Sequence, residues 1–364
     1  MIAQAGEAPA ALLNFASYNY LGLSRHPKCV TAAQEALLEY GTGICGPPLL
    51  SGMTDLQLQL EQQLNDLLGS ESTVIFSGGY SAAVGALSAI LRKGDIAIAD
   101  DRVHMSAIDG VKLAQARLVT YPHNDVNALA ACLEKHKGSR ILVITEGIYS
   151  VDGDMPPLRE MLDVTEHFGV PLYIDEAHSI LGCGSRGGGV AELLGVENRV
   201  GLRLSTFSKA FAAVGGAVSG SQETLDYMRF YANSYTFSAC LPPATLASLI
   251  AAARVSMDET NLREQLWANG TYFRTKLNEI GVDTGKSTSY VVPIMVGSNR
   301  KLLYELCHAM RHRGLFIPPV DYPVVPQDEV RFRAAVTAAH TRQELDEALN
   351  IIEDTVVRAI GKRT

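Results

Sequence analysis

The chain has 364 residues, of which 47% are apolar, 19% charged and 7% aromatic. That composition supports a large buried core and argues against a disordered tail, a fibre or a small disulfide scaffold. A net charge of −8 argues against nucleic acid or an anionic membrane as the main partner, since those need a clustered basic footprint, but it leaves room for a local phosphate site.

The opening MIAQAGEAPAALLNFASYNY has no positive region leading into a long apolar stretch, so it does not read as a signal peptide. HPKCVTAAQEALLEY, from His26 to Tyr40, carries apolar residues at helical spacing and stops at Gly41. In GTGICGPPLLSG, which follows, the glycines and the paired Pro47 and Pro48 forbid regular structure. A helix is predicted from Leu56 to Leu68. Strands are predicted at Thr73–Phe76, Asp95–Ala99, Leu118–Tyr121, Arg140–Thr145, Val170–Ile174 and Leu202–Ser205. Several are near-continuous apolar runs separated by helical stretches, the pattern of strands buried on both faces of a mainly parallel sheet.

From Pro243 the pattern changes to a long helical stretch, a strand at Tyr290–Val296, a helix at Lys301–Arg313 and the Pro-rich loop IPPVDYPVVP. VRFRAAVT reads as another strand and QELDEALNIIEDTVVRAI as a final amphipathic helix. The expected organisation is α/β: an N-terminal segment over 1–45 packing with a small domain, a large domain over 46–245, and a smaller α+β domain over 246–364. No run approaches the roughly 18 apolar residues of a membrane span. The cysteines Cys29, Cys45, Cys132, Cys183, Cys240 and Cys307 form no C-x-x-C pair and no His/Cys set at zinc-ligand spacing. No metal is expected, and the thiols read as reduced groups of a cytoplasmic protein.

Ligands of open parallel sheets bind beyond the C-terminal strand ends, so polar residues just after each strand are the candidates. SGGYSA, at 77–82, offers glycines at a helix N-terminus, where free N–H groups and the helix dipole suit an oxyanion; a tight turn is the alternative. His104 follows the next strand and alone would pass for a structural histidine. In YIDEAHS, Asp175 ends an apolar strand with His178 three residues on. A carboxylate there is costly without a cationic partner, and holding a ligand ring nitrogen protonated is one reason to keep it; a helix cap is another. Lys209 in STFSKAFAAVGGA follows a strand, where desolvation frees an amine to attack a carbonyl, with Thr206 and Ser208 as hydroxyls for an anion. Arg331 and Arg333 share one face of a strand, where either is suited to grip a carboxylate or to form a surface ion pair. Taken in order, the set is coherent for pyridoxal 5′-phosphate (PLP).

The stretches NFASYNYLGL, GTGICGPPLLSG, FSGGYSA, HMSAIDG, YSVDGDMPPL, YIDEAHSI, TFSKAFAAVGG, YTFSACLPP and RFRAAVTAAHT span nearly the whole chain. Through them the sequence resembles the α-oxoamine synthases, a family that includes serine palmitoyltransferase and 8-amino-7-oxononanoate synthase. The resemblance implies a fold-type I PLP-dependent transferase: a large domain with a mainly parallel seven-stranded sheet and a smaller C-terminal α+β domain. It implies that Lys209 carries the cofactor, Asp175 pairs with its ring nitrogen, His178 bonds its phenolic oxygen and His104 stacks over its ring. Gly79, Tyr80 and Thr206 would hold the phosphate, with Ser238 reaching across from a second subunit of a homodimer and Ser150 closing around the cofactor. Arg333 and Asn19 would hold the substrate.

The implied reaction joins a small amino acid (glycine, alanine or serine) to an acyl thioester, on coenzyme A or a carrier protein, with loss of carbon dioxide, giving an α-amino ketone. An aminotransferase or aldolase-type lyase on the same fold is the alternative; a silent partner subunit conflicts with the presence of Lys209. Three positions depart from the family pattern: Pro48 where many members have arginine, Gln57 where many have histidine, and Gly187-Gly188-Gly189 where Gly-Arg-Gly is usual. They put the acyl donor in question. The chain also starts close to its first motif, which suggests a domain of a larger synthase or a compact enzyme served by a carrier protein.

Overall fold

The computed structural model describes residues 11–361. Residues 1–10 of the N-terminal segment, which are the first half of the stretch read for a signal peptide, lie outside them. A short strand β1 (Leu13–Asn14) precedes helices α1 (Pro27–Tyr40) and α2 (Asp55–Leu68). Strand and helix then alternate through β2 (Ser72–Phe76), α3 (Gly79–Ile90), β3 (Ile96–Asp100), α4 (Met105–Leu113), β4 (Arg117–Tyr121), α5 (Val126–Lys135), β5 (Ile141–Glu146), α6 (Leu158–His167), β6 (Leu172–Asp175), α7 (Gly189–Leu193) and β7 (Leu202–Thr206). β8 (Gly216–Gly220) leads into α8 (Gln222–Tyr231), α9 (Asn233–Thr236), α10 (Pro243–Asp258) and α11 (Asn261–Glu279). The remainder is β9 (Val291–Gly297), α12 (Arg300–His312), β10 (Leu315–Phe316), β11 (Pro319–Val320), β12 (Val330–Ala335), α13 (Arg342–Ile352) and α14 (Arg358–Ile360).

A seven-stranded sheet in the order β2-β8-β7-β6-β5-β3-β4 forms the larger unit. Strands β3, β4, β5, β6 and β7 run parallel, whereas β8 is antiparallel to both β7 and β2. Residues of β3, β5, β6 and β7 are buried along their whole length, as expected for strands covered on both faces. On one face Val74, Phe76, Ala97, Ala99, Leu142, Ile144, Tyr173, Leu204 and Val218 pack with Ala83, Ala86 and Leu87 of α3.

Strand β8 is the one strand of the seven-stranded sheet that the apolar pattern missed. GAVSG looks like a loop because glycine opens and closes it, yet both glycines are demanded by packing. A Cβ on Gly216 would lie 2.6 Å from the Cα of Gly79, and one on Gly220 would lie 2.9 Å from the carbonyl of Gly201. Two smaller differences are local. Pro48–Gly52 forms one π-helical turn, with the N–H groups of Leu50, Ser51 and Gly52 all directed at the Pro47 carbonyl. The long helical stretch after Pro243 is two helices, interrupted between Asp258 and Asn261.

The chain divides into two compact units. The larger comprises Asn19–Ser150 and Met155–Glu264; the smaller comprises Val151–Asp154, Gln265–Thr364 and Met1–Tyr18 so far as these are described. The boundaries expected at 45/46 and 245/246 both fall inside the larger unit, because α1 packs along α10 and Lys28 pairs with Glu259 at 2.8 Å. In the smaller unit β11-β12-β9 form an antiparallel sheet, and β1 pairs with β10. Val151–Asp154 is held there by Arg331, which binds Asp152 at 2.7 Å, and by Ser289, which donates to the Gly153 carbonyl at 2.7 Å. Among the described residues no helix is long and apolar enough to cross a membrane.

Leu87 is fully buried between α3 and the sheet. Replacing Leu87 with alanine should lower the unfolding free energy by about 2–5 kcal/mol, read as an earlier midpoint in a urea melt followed by circular dichroism.

Candidate active site

Because the central strands are parallel, their C-terminal ends lie side by side. Glu146 ends β5 in register with Asp175 at the end of β6, and Thr206 ends β7. A cavity of about 240 Å³ opens there, lined by Gly79, Tyr80, His104, Ser106, Glu146, Ser150, Asp175, Ala177, His178, Leu204, Thr206, Ser208 and Lys209. Several times the roughly 30 Å³ share of one water, it is large enough for a ligand. A hollow of about 760 Å³ lies at the opposite strand ends, but its arginines are engaged: Arg92 donates to Tyr227 and Arg140 pairs with Asp95.

One side of the smaller cavity is built for an oxyanion. Helix α3 starts at Gly79 with Gly78 as its N-cap and no side-chain cap, so its first N–H groups have no partner within the helix. A Cβ on Gly79 would collide with Thr206 Oγ1, so only glycine brings backbone and hydroxyl this close. Thr206 Oγ1 lies 3.0 Å from Ser208 Oγ. Two hydroxyls and a helix N-terminus thus converge without a side-chain anion among them.

The other side holds titratable groups. Asp175 is buried, and one of its carboxylate oxygens accepts the Ala177 N–H at 2.9 Å. Burial raises its pKa while the Lys209 charge opposes the rise. Lys209 follows β7 and is only partly covered, yet its surroundings lower its pKa by desolvation, against the pull of Asp175 and Glu146. His178 is buried, its Nδ1 lies 2.7 Å from the Tyr20 hydroxyl, and burial lowers its pKa far below the usual value. His104 is exposed to the cavity as the N-cap of α4, with Nδ1 2.8 Å from Ser106 Oγ. An amine whose pKa is lowered by desolvation, a buried carboxylate and two imidazoles therefore face an anion seat across one small space.

A profile for the aminotransferase class I and II family matches residues 10–352. The serine palmitoyltransferase of Sphingobacterium spiritivorum is 36% identical over 339 residues, covering 93% of this chain and 85% of that protein. The 8-amino-7-oxononanoate synthase of Thermoanaerobacter pseudethanolicus is 35% identical over 344 residues, covering 94% and 87%. A solved structure of serine palmitoyltransferase with its PLP internal aldimine superposes with a TM-score of 0.92 at 31% identity, over 96% of this chain and 88% of that one. The chain belongs to the α-oxoamine synthase family.

This α-oxoamine synthase is a fold-type I enzyme and its cofactor is PLP. The cavity fits that group: the glycine cradle with Thr206 and Ser208 suits a phosphate, Lys209 an aldehyde, and the Asp175 carboxylate a ring nitrogen. Of the residues singled out from the sequence, Lys209, Asp175, His178, His104, Gly79, Tyr80, Thr206 and Ser150 all line it. Ser238 does not; it lines a separate small hollow with Pro48, Gln57 and Cys240. Asn19 bonds within its own turn, donating to Ser24 Oγ at 2.8 Å. Arg333 belongs to the smaller unit, where its guanidinium lies over the Tyr18 ring at 4.7 Å and burial pushes its pKa down to about 10. The alternation left Arg331 and Arg333 equivalent, and packing separates them: Arg331 is buried in pairs with Asp152 and Glu329.

Glu146 is the titratable residue of the cavity that sequence reasoning passed over. It ends ILVITE just as Asp175 ends LYID, so the strand-end rule that marked Asp175 applies to it equally. It accepts the His104 N–H at 2.6 Å and the Ser150 N–H at 3.3 Å, tying two cavity-lining segments to the sheet. Burial and the neighbouring Asp175 charge raise its pKa well above the ordinary value. Two of the three family departures are also explained locally. Gln57 is buried against Glu61, and a Cβ on Gly188 would lie 2.9 Å from the Leu67 carbonyl.

Glu146→Gln keeps one acceptor but replaces the other with an NH2 group facing the Ser150 N–H. PLP affinity of the apoprotein, followed by fluorescence titration, should weaken by roughly 2- to 10-fold, the worth of one hydrogen bond. Gly79→Val should abolish PLP loading while far-ultraviolet circular dichroism stays native, since the side chain would fill the space of Thr206.

Proposed function

We propose that this enzyme condenses a small amino acid, with glycine, alanine and serine as the candidates, with an acyl thioester and releases carbon dioxide, yielding an α-amino ketone. The observation that carries the reading is the convergence of Lys209, Asp175, His104 and His178 beside a phosphate-type seat in a chain whose relatives are named for such syntheses.

PLP, when bound, supplies an electron sink for the Cα–H bond of the amino acid. Lys209 carries the reactive amine: depressed by desolvation, it is neutral more often than a surface lysine, and after release it is the base placed to take the Cα proton at Nζ. Asp175 holds a proton on the ring nitrogen, an arrangement in which its buried charge gains a cationic partner. His104 covers the ring and, through its imidazole, orients the substrate carboxylate and the incoming carbonyl. Gly79, Tyr80, Thr206 and Ser208 bind the phosphate. Ser150 closes against the cofactor, placed by Glu146. Arg333 grips the substrate carboxylate, the Tyr18 ring fixing the plane of its fork, and Asn19 assists at the substrate.

We assign Ser238 to the site of a second copy in a homodimer, consistent with its place outside the cavity of its own chain. The acyl group is carried by coenzyme A or by a carrier protein. Six cysteines without a disulfide fit a reducing cytoplasm.

Purified, PLP-loaded protein should give an amino ketone by mass spectrometry with one member of a panel of glycine, alanine and serine against coenzyme A and carrier-protein thioesters. Keto acid formed from the amino acid without thioester would overturn the reading in favour of an aminotransferase. Arg333→Ala should raise the KM for the amino acid about 10- to 100-fold, the worth of a charge-assisted pair, with little change in the KM for the thioester. Because the Lys209 pKa is lowered, PLP loading of the apoprotein should fall as pH drops and protonates the amine, with a midpoint below that of an ordinary lysine.

A further inference from the structure

Tyr20 sits in the NFASYNYLGL stretch, 158 positions from His178, and carries no chemistry in the sequence. In the fold it is fully buried, its hydroxyl 2.7 Å from His178 Nδ1 and the two rings 6.0 Å apart at 57°. Burial drives the phenol pKa upward, so the hydroxyl keeps its hydrogen. Burial, with the Lys209 and His104 charges adding to it, keeps the imidazole neutral. Asp175 and Glu176 lie on the same segment as His178, and Glu146 of β5 pairs in register with Asp175.

A neutral imidazole has a single N–H, and its position is set by what the other ring nitrogen bonds. A phenol that donates to Nδ1 leaves that hydrogen on Nε2. We propose that Tyr20 is a positioning residue that fixes the tautomer and orientation of His178, so that Nε2–H donates to the phenolic oxygen of PLP. This rests on the reading above that His178 meets that oxygen. A histidine without such a partner has two tautomers, one of which would turn an acceptor toward a negatively charged oxygen.

The test uses the visible absorption of the PLP-loaded enzyme, whose pH midpoint reports loss of the proton from the nitrogen joining Lys209 to the cofactor. Once that proton leaves, the phenolic oxygen carries unshared negative charge, so a donor there favours the deprotonated form and lowers the midpoint. Tyr20→Phe should therefore raise the midpoint by about half to one pH unit, the worth of one hydrogen bond. It should add no further shift in a His178→Ala background. If His178→Ala moves the midpoint and Tyr20→Phe does not, the proposal is overturned and the site reading stands. If His178→Ala moves nothing, the assignment of His178 to the phenolic oxygen fails and the proposal with it. Should Tyr20→Phe not load PLP, 3-fluorotyrosine at position 20 keeps the ring and strengthens the donor. The midpoint should then fall, and an unchanged midpoint overturns the proposal.

Discussion

The site depends on one constraint: the strands covered on both faces carry their carboxylates only at their ends. In β3, β5, β6 and β7 the buried interior is mostly apolar, with Thr145, Arg203 and Ser205 as polar exceptions, and Asp100, Glu146, Asp175 and Thr206 each occupy the last place of a strand. Parallel pairing then brings those last places together on one edge, with Glu146 directly beside Asp175. The antiparallel β8 extends the same logic, because it lets β2 run parallel to β7 and delivers Gly78 and Gly79 to that edge.

Gathering these groups carries an electrostatic cost that the site turns to use. A buried carboxylate without a partner is worth several kcal/mol of destabilisation, on the order of the desolvation penalty of one ion. Asp175 and Glu146 have raised pKa values from that burial, and Lys209 a lowered one. Each group is thereby biased toward its neutral form, and a cationic ring with an anionic phosphate suits the carboxylates and the helix N-terminus together. Asp100 shows the contrasting solution on the same sheet. Its carboxylate is satisfied inside the protein by His123 at 2.9 Å and by the N–H groups of Arg102 and Asn124, leaving no role toward the cavity.

Positioning residues recur in this arrangement. Glu146 holds the backbone of His104 and Ser150, Tyr20 holds the imidazole of His178, and Ser106 holds that of His104. These cavity-lining segments are thus held in place by partners, the support a site needs to keep its geometry. In the smaller unit Arg331 does comparable work, fastening the Val151–Asp154 segment that directly follows Ser150 in the chain.

The alternation of apolar runs and helical stretches, six of the seven large-unit strands, the glycine turn, and the order of His104, Asp175, His178, Lys209 and Arg333 were all legible in the sequence. They are local: burial on both faces and the need for a polar strand end leave their mark within a few neighbouring residues. The structure alone supplied β8, whose glycines answer to Gly79 and Gly201; the separation of Arg331 from Arg333; the unit boundaries, set by α1 against α10; and the roles of Glu146 and Tyr20. Those depend on which residues distant in the chain come to lie within a few ångströms, and no short stretch of sequence encodes that.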